Sequence, residues 1–181
     1  ALLSSNAEDL TVLVTKCISK AFHCGSATKG FLDESLLALS LATVSSIVRV
    51  KGCVSHFSAS TLTLILGVTC QRMIDSCSID ASEYSQSKLT PTLSKTMLQA
   101  LNRVSVETAS YSERASSFIA LMNLLAHHHV LPKVQYEENA DTRGFLLSLN
   151  SKAKIERFIV IVAKLLMHLI EKERNETAPY S

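Results

Sequence analysis

Apolar residues recur along this chain at intervals of three and four, with polar stretches between them, and the pattern predicts helices from end to end. From Asn6, read as an N-cap, Leu10, Leu13, Val14, Cys17, Ile18, Ala21 and Phe22 form a first stripe that Gly25 closes. Asp33 caps a second, with Leu36, Leu37, Leu39, Ala42, Val44, Ile47 and Val48 followed by Arg49, Lys51 and a Gly52 stop. The third, Thr61-Leu-Thr-Leu-Ile-Leu-Gly-Val-Thr-Cys70, has the composition of a buried strand. Helical spacing nevertheless continues through Met73 and Ile74, and no other segment offers a partner strand, so a helix opening at Ser58 or Ser60 is expected. Gly67 costs about 1 kcal/mol inside a helix and reads as a site of close helix crossing.

After a polar loop over Ser76 to Lys88, Thr90-Pro91 opens a fourth helix, with Leu93, Met97, Leu98, Leu101 and Val104 on one face. Ser112 starts the fifth, with Glu113 in its first turn. Its stripe of Ala115, Phe118, Ile119, Met122, Leu125 and Ala126, widened by Leu121 and Leu124, predicts a well-buried helix ending at His127-His128-His129 before Pro132. Lys133 to Asn139 reads as a charged connector and Asp141 to Leu149 as a short helix or turn. Asn150 or Ser151 then caps the last and most apolar helix, in which only Lys164 and His168 interrupt the run from Phe158 to Ile170. A helix apolar on nearly every side belongs in the middle of a core, so this one is expected to be the central helix. The division is one helical domain over residues 1–174 and a polar, flexible tail over 175–181.

The fold class is therefore all-α, six or seven antiparallel helices arranged as stacked helical hairpins or as a compact bundle. Helix pairs begin near Asn6, Ser58 and Ser112, a spacing of roughly 50 residues that is a little longer than the helical-pair repeats of solenoid proteins. In this pairing the chain resembles an irregular HEAT or armadillo-like α-solenoid, of the kind found in large scaffold proteins such as the nuclear-pore scaffold nucleoporins. The resemblance rests on helix pairing, without a repeated residue motif. It implies a segment of a larger helical-repeat scaffold that binds other proteins in the nucleus or cytoplasm.

Composition sharpens this picture in one respect. Of 181 residues, 47% are hydrophobic and 19% charged, which is apolar for a free-standing domain, so some apolar surface is expected to meet a protein partner or flanking helices of a larger chain. A net charge of +2 and the absence of Trp argue against nucleic acid. No segment has the roughly 18 to 20 unbroken apolar residues of a membrane span, and Ala1 to Asp9 lacks the basic start of a secretory signal. An initial Ala in place of Met reads as a piece of a longer or processed chain. Five cysteines, Cys17, Cys24, Cys53, Cys70 and Cys77, are odd in number and sit mostly in helical apolar patterns, as free thiols of an intracellular protein do.

Candidate chemistry is sparse. His127-His128-His129 invites a metal, but adjacent residues on a helix diverge by about 100°, and a helix C-terminus favours His in any case. Cys17 to Cys24 and Cys70 to Cys77 are spaced for a core, not for metal ligation. Nucleotide-binding, metalloprotease, hydrolase and kinase signatures are absent, so no catalytic residue, cofactor, metal or small-molecule substrate is expected. Lys152, Lys154, Arg157, Lys164, Arg49 and Lys51 read as solvated faces, and Asn175-Glu-Thr177 as a chance glycosylation sequon. The reading is a non-enzymatic scaffold or protein–protein interaction module. Its partner contacts are expected on apolar positions left over on the first and last helices, Leu2, Leu3, Val12, Leu166, Leu169 and Ile170, while Leu13 and Ile159 belong to the core. The alternatives are a cytokine-like signalling bundle, which needs paired disulfides, and a helical nucleic-acid-binding domain.

Overall fold

A computed structural model describes residues 2–21, 34–77, 95–126 and 152–177. They form seven α-helices and, among the described residues, no strand: α1 (Leu2–Ala21), α2 (Glu34–Arg49), α3 (Lys51–Val54), α4 (Ala59–Cys77), α5 (Lys95–Tyr111), α6 (Arg114–Ala126) and α7 (Lys152–Thr177). The protein is all-α.

The central helix is α4, not α7. Every residue of α4 from Thr61 to Ile74 is buried except the half-buried Leu64, and the helix packs against α1, α5, α6 and α7. Its strand-like composition is overridden by burial. Two of its threonines fit because they bond within the helix: Thr63 Oγ1 donates to the Ala59 carbonyl at 2.7 Å and Thr69 Oγ1 to the Ile65 carbonyl at 2.9 Å. In α7, by contrast, a single row of Phe158, Val162, Leu165 and Leu169 is buried, whereas Val160, Met167 and Ile170 are 50%, 55% and 46% exposed. An apolar sequence states an affinity for apolar surroundings; the number of neighbouring helices decides whether it is met.

Long-range polar contacts fix helix directions. The Glu8 carboxylate near the start of α1 accepts from Ser58 N at 3.0 Å and Thr61 Oγ1 at 2.6 Å at the start of α4, while Arg72 near the end of α4 donates to the Ser19 carbonyl at 3.2 Å near the end of α1. These two helices are parallel. On the second layer, Glu107 of α5 accepts from Ser45 Oγ at 2.6 Å and Arg49 Nε at 3.2 Å at the end of α2. Lys172 Nζ of α7 donates to the Ser110 carbonyl of α5 at 2.6 Å. The described residues thus form three helical hairpins, α1/α2, α4/α5 and α6/α7. Their first helices form one layer, their second helices the other, and the middle hairpin packs against both of its neighbours.

Several boundaries differ from those read along the chain. Asn6 lies inside α1, which already begins at Leu2, and Ser76 and Cys77 belong to α4 instead of a loop. Gly52 does not stop the second helix but sits in α3. Glu113, not Ser112, caps α6: its carboxylate accepts from Ala115 N at 3.0 Å and Ser116 N at 2.6 Å, while the Ser112 hydroxyl turns back to the Thr108 carbonyl at 2.6 Å. The last helix continues past Arg174 to Thr177 because Glu176 pairs with Arg114 and lies 3.9 Å from Lys172. His23, Cys24, Gly25, Asp33, Thr90-Pro91, His127 to His129, Lys133 to Asn139 and Asp141 to Leu149 lie outside the described residues.

Candidate protein-interaction surfaces

Among the described residues the stack of hairpins has two edges, one along the first hairpin and one along the last. The side of α1 that meets α4 is marked by Glu8 and Ser19. Leu10 and Leu13, three residues apart, stand off that side and are 47% and 58% exposed; Leu39 of α2 is 67% exposed. Leu13 is therefore on the rim, not in the core.

The opposite edge is more extensive. Helix α6 turns its small residues inward: Ser117 and Ala120 are buried with Leu121 and Leu124, and this lets the helix approach α4 closely. The longer side chains of the sequence stripe point outward, with Phe118, Ile119 and Met122 45%, 49% and 42% exposed and flanked by exposed Ala115 and Ala126. The expectation of a well-buried α6 is thus corrected, because an apolar stripe wider than half a helix leaves the choice of inward side to whichever face packs closer. In α7, Ile161 and Lys172 lie toward α5, and on the far flank Ile159, Ala163, Leu166 and Ile170 follow at spacings of four, three and four.

The six expected contact residues divide. Ile170 is exposed on this edge and Leu166 is half-buried there, touching the core. Leu169 is buried in the core row of α7, and its exposure to a partner is excluded by Phe158, Val162 and Leu165 on the same side. Val12 is half-buried, and Ile159, expected in the core, is half-buried too. Leu2 and Leu3 lie in the first turn of α1, and their side chains are outside the described residues. The sequence pattern does not single out Leu10, Leu39, Phe118, Ile119 or Met122 as contacts; a stripe too wide for one packing partner is the signal that could have found those of α6.

The charged groups near these surfaces act as ties between helices. Burial by itself would raise the Glu107 carboxyl, but hydrogen bonds from Arg49, Ser45 and Arg103 outweigh it and hold the group down at about 2. Glu8 behaves similarly: burial works to raise it, and hydrogen bonds from Ser58 and Thr61 bring it below its ordinary value. Cys17, Cys53 and Cys70 are free thiols, and burial pushes Cys70 up to about 12 despite the Ser105 and Thr69 hydroxyls beside it. Among the described residues no three His, Cys, Asp or Glu side chains gather in a way that could hold a metal ion, and no helix is long and apolar enough to cross a membrane. The fold thus defines an all-helical protein of stacked hairpins with two apolar edges. Beyond that class, comparison of the chain with protein-family models, curated protein sequences and solved structures finds no match.

Proposed function

We propose that the chain is a non-enzymatic protein–protein interaction or scaffold module whose stack edges receive further helical hairpins. The observation that carries this reading is the apolar character of both edges, Leu10, Leu13 and Leu39 on one and Phe118, Ile119, Met122 and Ile170 on the other. A repeat stack that works alone covers its ends with polar faces. Exposed apolar area of this kind marks a place where surface is removed from water, at about 25 cal/mol for each Å2 buried.

Light scattering across a dilution series tests the proposal. The expected result is concentration-dependent association that Phe118→Lys with Met122→Lys abolishes while the helical circular dichroism is kept. A monomer at every concentration, with or without those substitutions, would overturn it.

A further inference from the structure

The row that α7 adds to the last edge has a symmetry of its own. Ile159, Ala163 and Leu166 are half-buried and Ile170 is 46% exposed, and their spacings of four, three and four are those at which two helices mesh side chain into gap. That spacing reads the same in both directions. Laid antiparallel on a second copy of itself, the row pairs Ile159 with Ile170 at either end and Ala163 with Leu166 twice in the middle. The small side chain of each copy then stands opposite the large one of the other. A parallel copy would set alanine on alanine and leucine on leucine, a gap in one place and crowding in the next.

The edge is also stepped. Arg114 at the start of α6 pairs with Glu176 and lies 3.6 Å from Glu173, so the 13 residues of α6 run antiparallel to the second half of the 26-residue α7. Among the described residues, α6 leaves the first half of α7 beyond its reach. At about 1.5 Å of rise per residue in both helices, Phe118 stands roughly level with Ile170 and Met122 with Leu166. A reversed second copy fits this step, because Ile159 of one copy then lies beside Ile170 and Phe118 of the other. The area is sufficient as well. Phe118, Ile119, Met122, Met167 and Ile170 are between 42% and 55% exposed. At roughly 200 Å2 for each full side chain, they offer about 500 Å2 per copy. Two copies thus remove about 1,000 Å2 from water before Ile159, Leu166 and the alanines are counted, the size at which an interface is specific and not incidental.

We propose that the α6/α7 edge is closed by a second copy of the chain about a two-fold axis that crosses α7 between Ala163 and Leu166, an inference that rests on the interaction-module reading and names the partner of one edge. The contact is isologous and ends at two copies, leaving the α1/α2 edge of each free for other hairpins.

Sedimentation velocity of the full chain over a dilution series tests this. The mass should rise from 19.8 kDa to a plateau at twice that value. Ile159→Lys and Ile170→Glu should each weaken the dimer by about tenfold or more. An equimolar mixture of the two variants should associate more tightly than either alone, because the introduced ammonium of one copy meets the introduced carboxylate of the other. Leu13→Lys, on the opposite edge, should leave the dimer intact. Circular dichroism checks the fold; if Ile159→Lys unfolds, Ile170→Glu at its exposed position still decides whether the edge is used. Growth beyond two copies, association lost with Leu13→Lys, indifference to Ile170→Glu, or a mixture of folded variants no tighter than its components would overturn the two-fold contact and leave the interaction-module reading standing. A monomer at every concentration would overturn both.

Discussion

The inward face of α6 can be tested by two neighbouring substitutions. Leu121 is fully buried, so Leu121→Ala removes most of the roughly 1.5–3 kcal/mol gained by burying a leucine and leaves a cavity against α4, for a total cost of about 3 kcal/mol. Ile119, two residues earlier, is 49% exposed. In Ile119→Lys the aliphatic stem of lysine covers the same strip of surface and its ammonium reaches water, so the cost should stay within about 1 kcal/mol. Urea denaturation followed by circular dichroism, with the slope unchanged between variants, reads both values. Against a typical domain stability of about 5–15 kcal/mol, the first change is large and the second small. If Ile119→Lys costs as much as Leu121→Ala, the face read from the sequence stripe is the buried one and the packing described for α6 is wrong.

Glu107→Gln should destabilise by about 1–2 kcal/mol at pH 7, less than its depressed pKa alone would suggest, since Arg49 and Arg103 are 45% and 64% exposed and solvent screens them. The folded carboxyl titrates below its unfolded value of about 4.5, so its contribution is full above that pH and is lost toward about 2; a gap between wild type and variant that stays constant in urea melts from pH 7 down to 3 would refute the tie. Among the described residues the buried Ser117 hydroxyl has no hydrogen-bond partner, so Ser117→Ala should leave stability unchanged or raise it by up to about 1 kcal/mol, and thermal unfolding that shows a loss beyond that would reveal a partner for the hydroxyl. Native alkylation with iodoacetamide at pH 8, read by peptide mass spectrometry, should modify Cys17 and Cys53 well before Cys70; early labelling of Cys70 would mean that α4 opens more readily than its burial implies.

Periodicity is sufficient to find six of the seven described helices, including α4, where composition favours a strand, and to place the starts of the three hairpins within a few residues; it misses α3, where Gly52 reads as a stop. It fails on which helix is central and on which side of α6 and α7 points inward. Both failures have one cause. Hydrophobicity ranks Phe158 to Ile170 above Thr61 to Ile74, yet three buried threonines and serines, Thr63, Thr69 and Ser105, turn their hydroxyls to carbonyls of their own helices, and buried Ser112 turns its hydroxyl to a carbonyl of the helix before it. Small inward residues such as Ser117 and Ala120 carry little weight in a hydrophobic stripe, although they set how closely two helices approach. The apolar hollow where α4, α5 and α7 meet is illegible in the sequence for another reason: only the fold brings Met73, Leu98 and Val160 together.

The self-satisfied hydroxyls have a mechanical consequence. Thr11 and Thr15 donate within α1 just as Thr63 and Thr69 do within α4, so these hydroxyls give their hydrogen to their own helix; Ser105 to Thr69, at 2.8 Å, runs between helices. The hairpins meet mainly through shape, and shape resists separation more than it resists sliding. The links that oppose sliding, Glu8 with Ser58, Arg72 with Ser19 and Glu107 with Arg49, sit toward the helix ends, like stitches along the margins of a folded sheet. A stack built this way yields as a leaf spring does, bending hairpin over hairpin while each helix keeps its own hydrogen bonds, and its stiffness is set by a handful of side chains at its margins.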